Sequence, residues 1–174
     1  MDVDYRAAEA VGAGVLFADW SLGSVDAAIV RRIGDVQPYR PGRFFERELP
    51  CLLAVLDDIE ARLEAIVIDG YAVLGDGEPG LGAHLSDALD GRVPVIGVAK
   101  TRFRDTPPET EVMRGASRRP LYVTSIGMDA GDARRAVRLM HGSHRIPTML
   151  AAVDRLARSG WGRLVGANGP QTAE

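Results

Sequence analysis

The run Ala65-Ile66-Val67-Ile68-Asp69-Gly70 decides the fold class. Four apolar residues, three of them β-branched, read as a short buried strand that stops at Asp69-Gly70. Downstream, Gly80 to Leu89 has the character of a helix. Val93-Pro94-Val95-Ile96-Gly97-Val98 is a second apolar strand, ending near Lys100. Strands alternating with helices imply a sheet with a parallel part and helices on its faces, hence an α/β protein.

The same reading extends outward in both directions. Phe44 to Leu63 carries apolar residues at helical spacing, among them Phe45, Leu49, Leu52, Leu56, Ile59 and Leu63. Ala7 to Ala18 begins as a weak helix and passes into an apolar run, Gly14 to Ala18, that reads as a buried strand ending at Asp19. Val25 to Val30 is a more exposed strand, and Gly34-Asp35 marks a turn. Thr106 to Glu111 is a surface loop, and Leu121 to Thr124 a further strand. Asp129 to Met140 and Pro147 to Arg158 are helices. The expectation is one domain over 1-174, with 1-12 and 160-174 as peripheral or flexible ends.

Composition narrows the class. Hydrophobic residues make up 46% and charged residues 26%, the values of an ordinary globular protein. A single cysteine, Cys51, excludes an internal disulfide and fits a reducing, cytoplasmic setting. No apolar run is long enough to span a membrane. The net charge of −3 does not advertise a nucleic-acid binder. However, Val98 to Arg158 holds twelve Lys and Arg against six Asp and Glu. That excess suits either a phosphate-tracking face or solvated helix faces.

Three apolar strands run into ionisable residues: Asp19, Asp69 and Lys100. In sheets with a parallel part, ligands sit at the carboxyl ends of the strands. Asp also serves as a turn residue, so each acid alone has a plain structural reading. Carboxylates converging from several elements repel one another unless a cation lies between them. An oxygen-only set selects magnesium or manganese, and the spacing lacks the Cys/His pattern of zinc. Upstream, Pro38-Tyr39-Arg40-Pro41-Gly42 fixes an aromatic ring between two prolines. This is either a proline-rich surface turn or a wedge that enters a stack of bases.

The motifs Pro38-Tyr39-Arg40-Pro41-Gly42, Phe45 to Pro50, Val67 to Gly70, Ala83-His84-Leu85, Ile96 to Lys100, Pro120 to Val123 and Arg145-Ile146-Pro147 resemble the endonuclease V family in order and spacing. The resemblance spans roughly Val15 to Leu156. It implies a ribonuclease H-like mixed sheet flanked by helices. It also implies a magnesium-dependent endonuclease, with manganese as substitute, acting near inosine in DNA or RNA. On that resemblance, Asp19, Glu48, Asp69 and Asp154 are the metal ligands. Lys100, assisted by His84, steadies the scissile phosphate. Tyr39, held by Pro38 and Pro41, is the wedge, and Gly42 and Gly70 let the backbone approach the flipped base. A monomer is expected.

The chain also departs from the family pattern. Between Asp19 and Tyr39 it is short, as though one antiparallel strand were lost. After Asp69-Gly70 the family's further glycine and His-Pro-Arg are replaced by Tyr71-Ala72 and Gly75-Asp76-Gly77. Two other readings stand beside the nuclease. One is a nucleic-acid-binding protein of the same fold that does not cut. The other is an α/β enzyme acting on a small phosphorylated metabolite.

Overall fold

The computed structural model describes residues 1–160 apart from Ala8, Asp35, Tyr39, Pro41 and Gly42. Seven strands and four α-helices follow in the order β1 (Asp2–Tyr5), β2 (Glu9–Leu16), β3 (Ala27–Gly34), α1 (Phe44–Leu56), β4 (Ile66–Asp69), α2 (Leu81–Ala88), β5 (Val95–Ala99), β6 (Glu111–Val112), β7 (Leu121–Ile126), α3 (Ala130–Leu139) and α4 (Thr148–Ser159). β1, β2 and β3 form an antiparallel meander. β4 pairs parallel with β5, β5 antiparallel with β7, and β7 antiparallel with β6.

Two main-chain hydrogen bonds join these groups of strands. Met1 N donates to the Val67 carbonyl at 2.6 Å, and Asp69 N donates to the Met1 carbonyl at 3.3 Å. Bonds from one residue to partners on either side of Ile68 are those of a parallel pair. The strand order is therefore β3-β2-β1-β4-β5-β7-β6. Asp2 then falls beside Asp69.

Helices cover both faces, which explains the apolar strands without alternation. Ile66, Ile68 and Val95 pack with Leu52 of α1 and with Leu81 and Leu85 of α2. Val67, Ile96, Val98 and Val123 pack on the opposite side with Ala133 and Val137 of α3 and Leu150 of α4. Asp129 caps α3, accepting from Gly131 N at 2.8 Å and Asp132 N at 3.1 Å.

Four expectations are corrected. Ala7 to Ala18 is not a helix leading into a strand, because β2 occupies Glu9–Leu16 throughout. Helices lie on both of its faces: a Cβ on Gly12 would stand 2.8 Å from Val55 Cγ2 of α1, and Ala13 packs with Val153 and Leu156 of α4. The first twelve residues are not peripheral, since they form β1 and half of β2, with Ala10 and Val11 fully buried. No strand of the meander is lost. The chain between Asp19 and Tyr39 looked short because β1 precedes the stretch read as the first strand. Helix α1 also stops at Leu56, so Ile59 and Leu63 lie beyond it.

Candidate active site

Strand alternation aims the charged side chains. Ile66 and Ile68 face α1 and α2, so Val67 and Asp69 face α3 and α4. Val3 packs on the α1 side, which turns Asp2 to the α4 side. Ile96 and Val98 face α4, and Lys100, two residues on, continues that row just past the end of β5. Helix α4 presents Asp154 to the same place, one turn after the buried Leu150.

The result is a carboxylate cluster. One oxygen from each of Asp2, Asp69 and Asp154 lies within 4.8 Å of the others. Lys100 Nζ stands 2.5 Å from Asp69 Oδ2 and 3.6 Å from Asp154 Oδ1. Arg158 grips Asp154 from the rim, Nε to Oδ2 at 3.1 Å and Nη2 to Oδ1 at 3.2 Å. These groups line a cleft of about 350 Å³ together with Tyr5 and Glu48. Glu48 reaches it from α1 and is only 7% exposed.

The electrostatics reflect crowding of like charges. Burial, then the charge of Asp69, raises the Asp2 carboxyl to about 6. Burial, then Asp2 and Asp69, raises Glu48 to about 8. Burial opposes the Lys100 ammonium, but the hydrogen bond and charge of Asp69 outweigh it and hold Lys100 above its ordinary value. Such a site favours an added cation.

Of the residues expected at a site, Glu48, Asp69, Lys100 and Asp154 are brought together. Asp19 is not. It lies on the exposed turn after β2, accepting from Ser21 N at 2.7 Å and Ser21 Oγ at 2.6 Å. Those bonds hold its carboxyl below the usual range. It borders a separate, largely apolar cavity of about 480 Å³. Asp2 stands in the cluster instead; its only sequence signal is the alternation Asp2-Val3-Asp4-Tyr5. His84 is not in the cleft either, since its ring stacks on Phe45 with centroids 3.6 Å apart and planes 14° apart. Gly70 follows Asp69 with φ of 142°. Pro38 is exposed, and Tyr39, Pro41 and Gly42 lie outside the described residues.

Two residues outside the expected set also shape the site. Arg145 donates to the Pro120 carbonyl at 2.8 Å and also to the carbonyl of Lys100. Tyr71 is buried, and its hydroxyl holds the loop after Lys100, donating to the Thr101 carbonyl at 2.9 Å.

A mixed sheet with carboxylates gathered at the ends of its central strands, and helices on both faces, is a ribonuclease H-like nuclease architecture. The sequence model of the endonuclease V family matches residues 1–137, and this chain belongs to that family. It is 32% identical to endonuclease V of Roseiflexus sp. (strain RS-1), over 92% of this chain and 80% of that one. It is 36% identical to endonuclease V of Streptomyces coelicolor, over 80% of this chain but only 55% of the relative. Among solved structures, endonuclease V from Streptomyces avermitilis superposes with a TM-score of 0.73 at 28% identity, covering 91% of this chain and 78% of that one. Endonuclease V from Ciona intestinalis, in complex with a 24mer DNA containing an inosine followed by a ribo-adenosine, shares the fold. Its TM-score is 0.76 at 16% identity, covering 91% of this chain and 83% of that one. Among the described residues, no helix is long and apolar enough to cross a membrane.

Proposed function

We propose that this chain is a divalent-metal-dependent endonuclease that hydrolyses a phosphodiester near an inosine in DNA or RNA. The observation that carries this reading is the cluster of Asp2, Asp69 and Asp154 within 4.8 Å, beside Glu48 and Lys100, in a chain of the endonuclease V family. The inosine in the DNA bound by the Ciona relative supports the choice of base.

The donor set suits magnesium or manganese. It is made of carboxylates from three elements, and neither His nor Cys belongs to it. Asp2, Asp69 and Asp154 would hold the ion, with Glu48 closing the cleft from α1. The chemistry such an ion supplies is Lewis acidity, which draws charge from phosphate oxygens and acidifies water.

The chain's own groups do the rest. Lys100 places an ammonium at the edge of the cluster, where it can neutralise a phosphate oxygen. Arg158, at the rim, can meet the strand backbone. Tyr39 would part the base stack, as the family pattern implies. The segment after Asp69 differs from that pattern, so Tyr39 bears on strand distortion more than on recognition of inosine. We place the reaction in the cytoplasm and assign it to a monomer.

A cleavage panel tests this reading, with inosine, uracil and undamaged strands in both DNA and RNA, in magnesium or manganese. The expected result is nicking of inosine strands alone, abolished by Asp69→Asn with the fold intact. Equal cleavage by that variant would overturn the proposal. So would salt-sensitive binding with no product in manganese, which would leave a recognition protein in its place.

A further inference from the structure

We propose that Phe103 is a stacking platform for a nucleobase of the bound strand, next to the phosphate held at Lys100. The proposal rests on the nucleic-acid reading above and extends it to a loop outside the cleft.

The segment Lys100-Thr101-Arg102-Phe103-Arg104 interleaves three cations with one aromatic ring. All of Thr101 to Asp105 is exposed, and Phe103 itself is 41% exposed. An exposed phenyl ring is common on loops whose backbone is loose. Here the backbone is fixed. Phe103 N donates to the Tyr71 hydroxyl at 3.0 Å, and the Phe103 carbonyl accepts from Thr106 Oγ1 at 2.7 Å. Tyr71 donates onward to the Thr101 carbonyl, and Arg102 closes the loop onto the Thr106 carbonyl at 3.0 Å. Gly75 admits the far side of the loop, because a Cβ there would stand 2.5 Å from the Asp105 carbonyl oxygen.

The ring is therefore presented rather than left over. Tyr71 supports it from beneath, with centroids 6.3 Å apart and planes inclined at 58°. The Arg104 guanidinium lies 5.8 Å from its centroid. A rigid aromatic with cations on either side matches the recurring device for single strands, in which bases stack on the ring while the cations track phosphates. Phe103 lies three positions after Lys100, a reach of at most about 11 Å. The charge around the ring selects a polyanion rather than an apolar protein face.

The test measures binding of labelled inosine-containing single strands to the full chain carrying Asp69→Asn, which separates binding from cleavage. Phe103→Ala should weaken binding about tenfold, the size of one lost base stack, and Phe103→Trp should restore it. The salt slope should stay unchanged for Phe103→Ala and fall for Arg104→Ala. Abasic sites are then walked along the strand. At one position the abasic strand should bind the native ring less tightly and make Phe103→Ala cost nothing further. Full affinity in a folded Phe103→Ala protein would overturn the proposal, as would the same loss at every abasic position. Binding without cleavage by the wild-type chain would defeat only the nuclease reading. Failure to bind any strand would defeat both.

Discussion

The guanidinium of Arg145 is bonded to the main-chain carbonyl of Lys100, and it holds the Pro120 carbonyl as well. The β5–β7 ladder has its last pair at Ala99 and Tyr122, so Arg145 takes over as rung where backbone pairing ends. It fixes the point from which the Lys100 side chain departs, and it precedes the helix that carries Asp154. Arg145→Gln should lower kcat at least about tenfold with little change in KM, the pattern of misplaced rather than missing chemistry. In a Lys100→Ala background the same change should cost much less, because Arg145 acts through Lys100. Equal losses in both backgrounds would reduce Arg145 to a structural clamp.

Asp2 and Asp19 offer a direct contrast. Asp2 shares the cluster with Asp69 and Asp154, whereas Asp19 is bonded to Ser21 on an exposed turn. Asp2→Asn should remove a direct ligand, and so cost more than the roughly 10–100-fold expected for an outer partner. Metal titration followed by calorimetry should show the same loss without any substrate. Asp19→Asn should leave rate and metal affinity unchanged. The reverse outcome would return the metal site to the end of β2.

How much of this was legible follows from the residues. β4, β5 and α2 could be read because short apolar runs and helical spacing are bounded by Asp69-Gly70, Lys100 and Gly80. Asp154 was reachable through the Arg145-Ile146-Pro147 motif. β1 carries little strand signal, because Asp2-Val3-Asp4-Tyr5 is four residues long with two acids. The alanines of β2 favour helix in isolation, whereas in the strand Gly12 packs under Val55 of α1 and Ala13 packs against Val153 and Leu156 of α4. With Gly14 to Ala18 read as the first strand, Asp19 is the acid at its end; in the structure that stretch belongs to the second strand. His84 belongs to a family motif, and its ring stacks on Phe45 outside the residues that line the cleft.

The raised carboxyls predict how the chelated protein responds to pH. The folded-state values of Asp2 and Glu48, about 6 and about 8, lie above the ordinary carboxylate range. Their protonated forms are favoured by folding, so that stability is complete below about pH 4. It is lost as pH rises toward 8. In EDTA the melting temperature should therefore fall between pH 5 and pH 6, at about 2–4 °C per kcal/mol lost, and level off above that, where the buried Met1 amino group, lowered to about 6, gains what Glu48 loses. Added magnesium should recover it most at the high end, because the ion binds the folded chain. A melting temperature that rises with pH in EDTA would contradict the crowding of these acids.

The seam between β2 and α1 leaves no room for a side chain at Gly12. Gly12 lies under Val55, and a Cβ added there would also meet the Cys51 carbonyl oxygen at 3.1 Å. Cys51 and Val55 are both buried, so neither can move into solvent to make room. Glu48 projects from the same helix, less than one turn before Cys51. Gly12→Ala should therefore destabilise the protein by about 1–3 kcal/mol through overpacking. It should also push α1 outward, carrying Glu48 away from Asp2 and Asp69. Val55→Ala would open space for the new methyl group, so the double variant should recover part of the activity lost by Gly12→Ala while remaining less stable than wild type. If Gly12→Ala lowered stability yet left the cleavage rate per folded molecule unchanged, the site would not depend on the seat of α1 on β2.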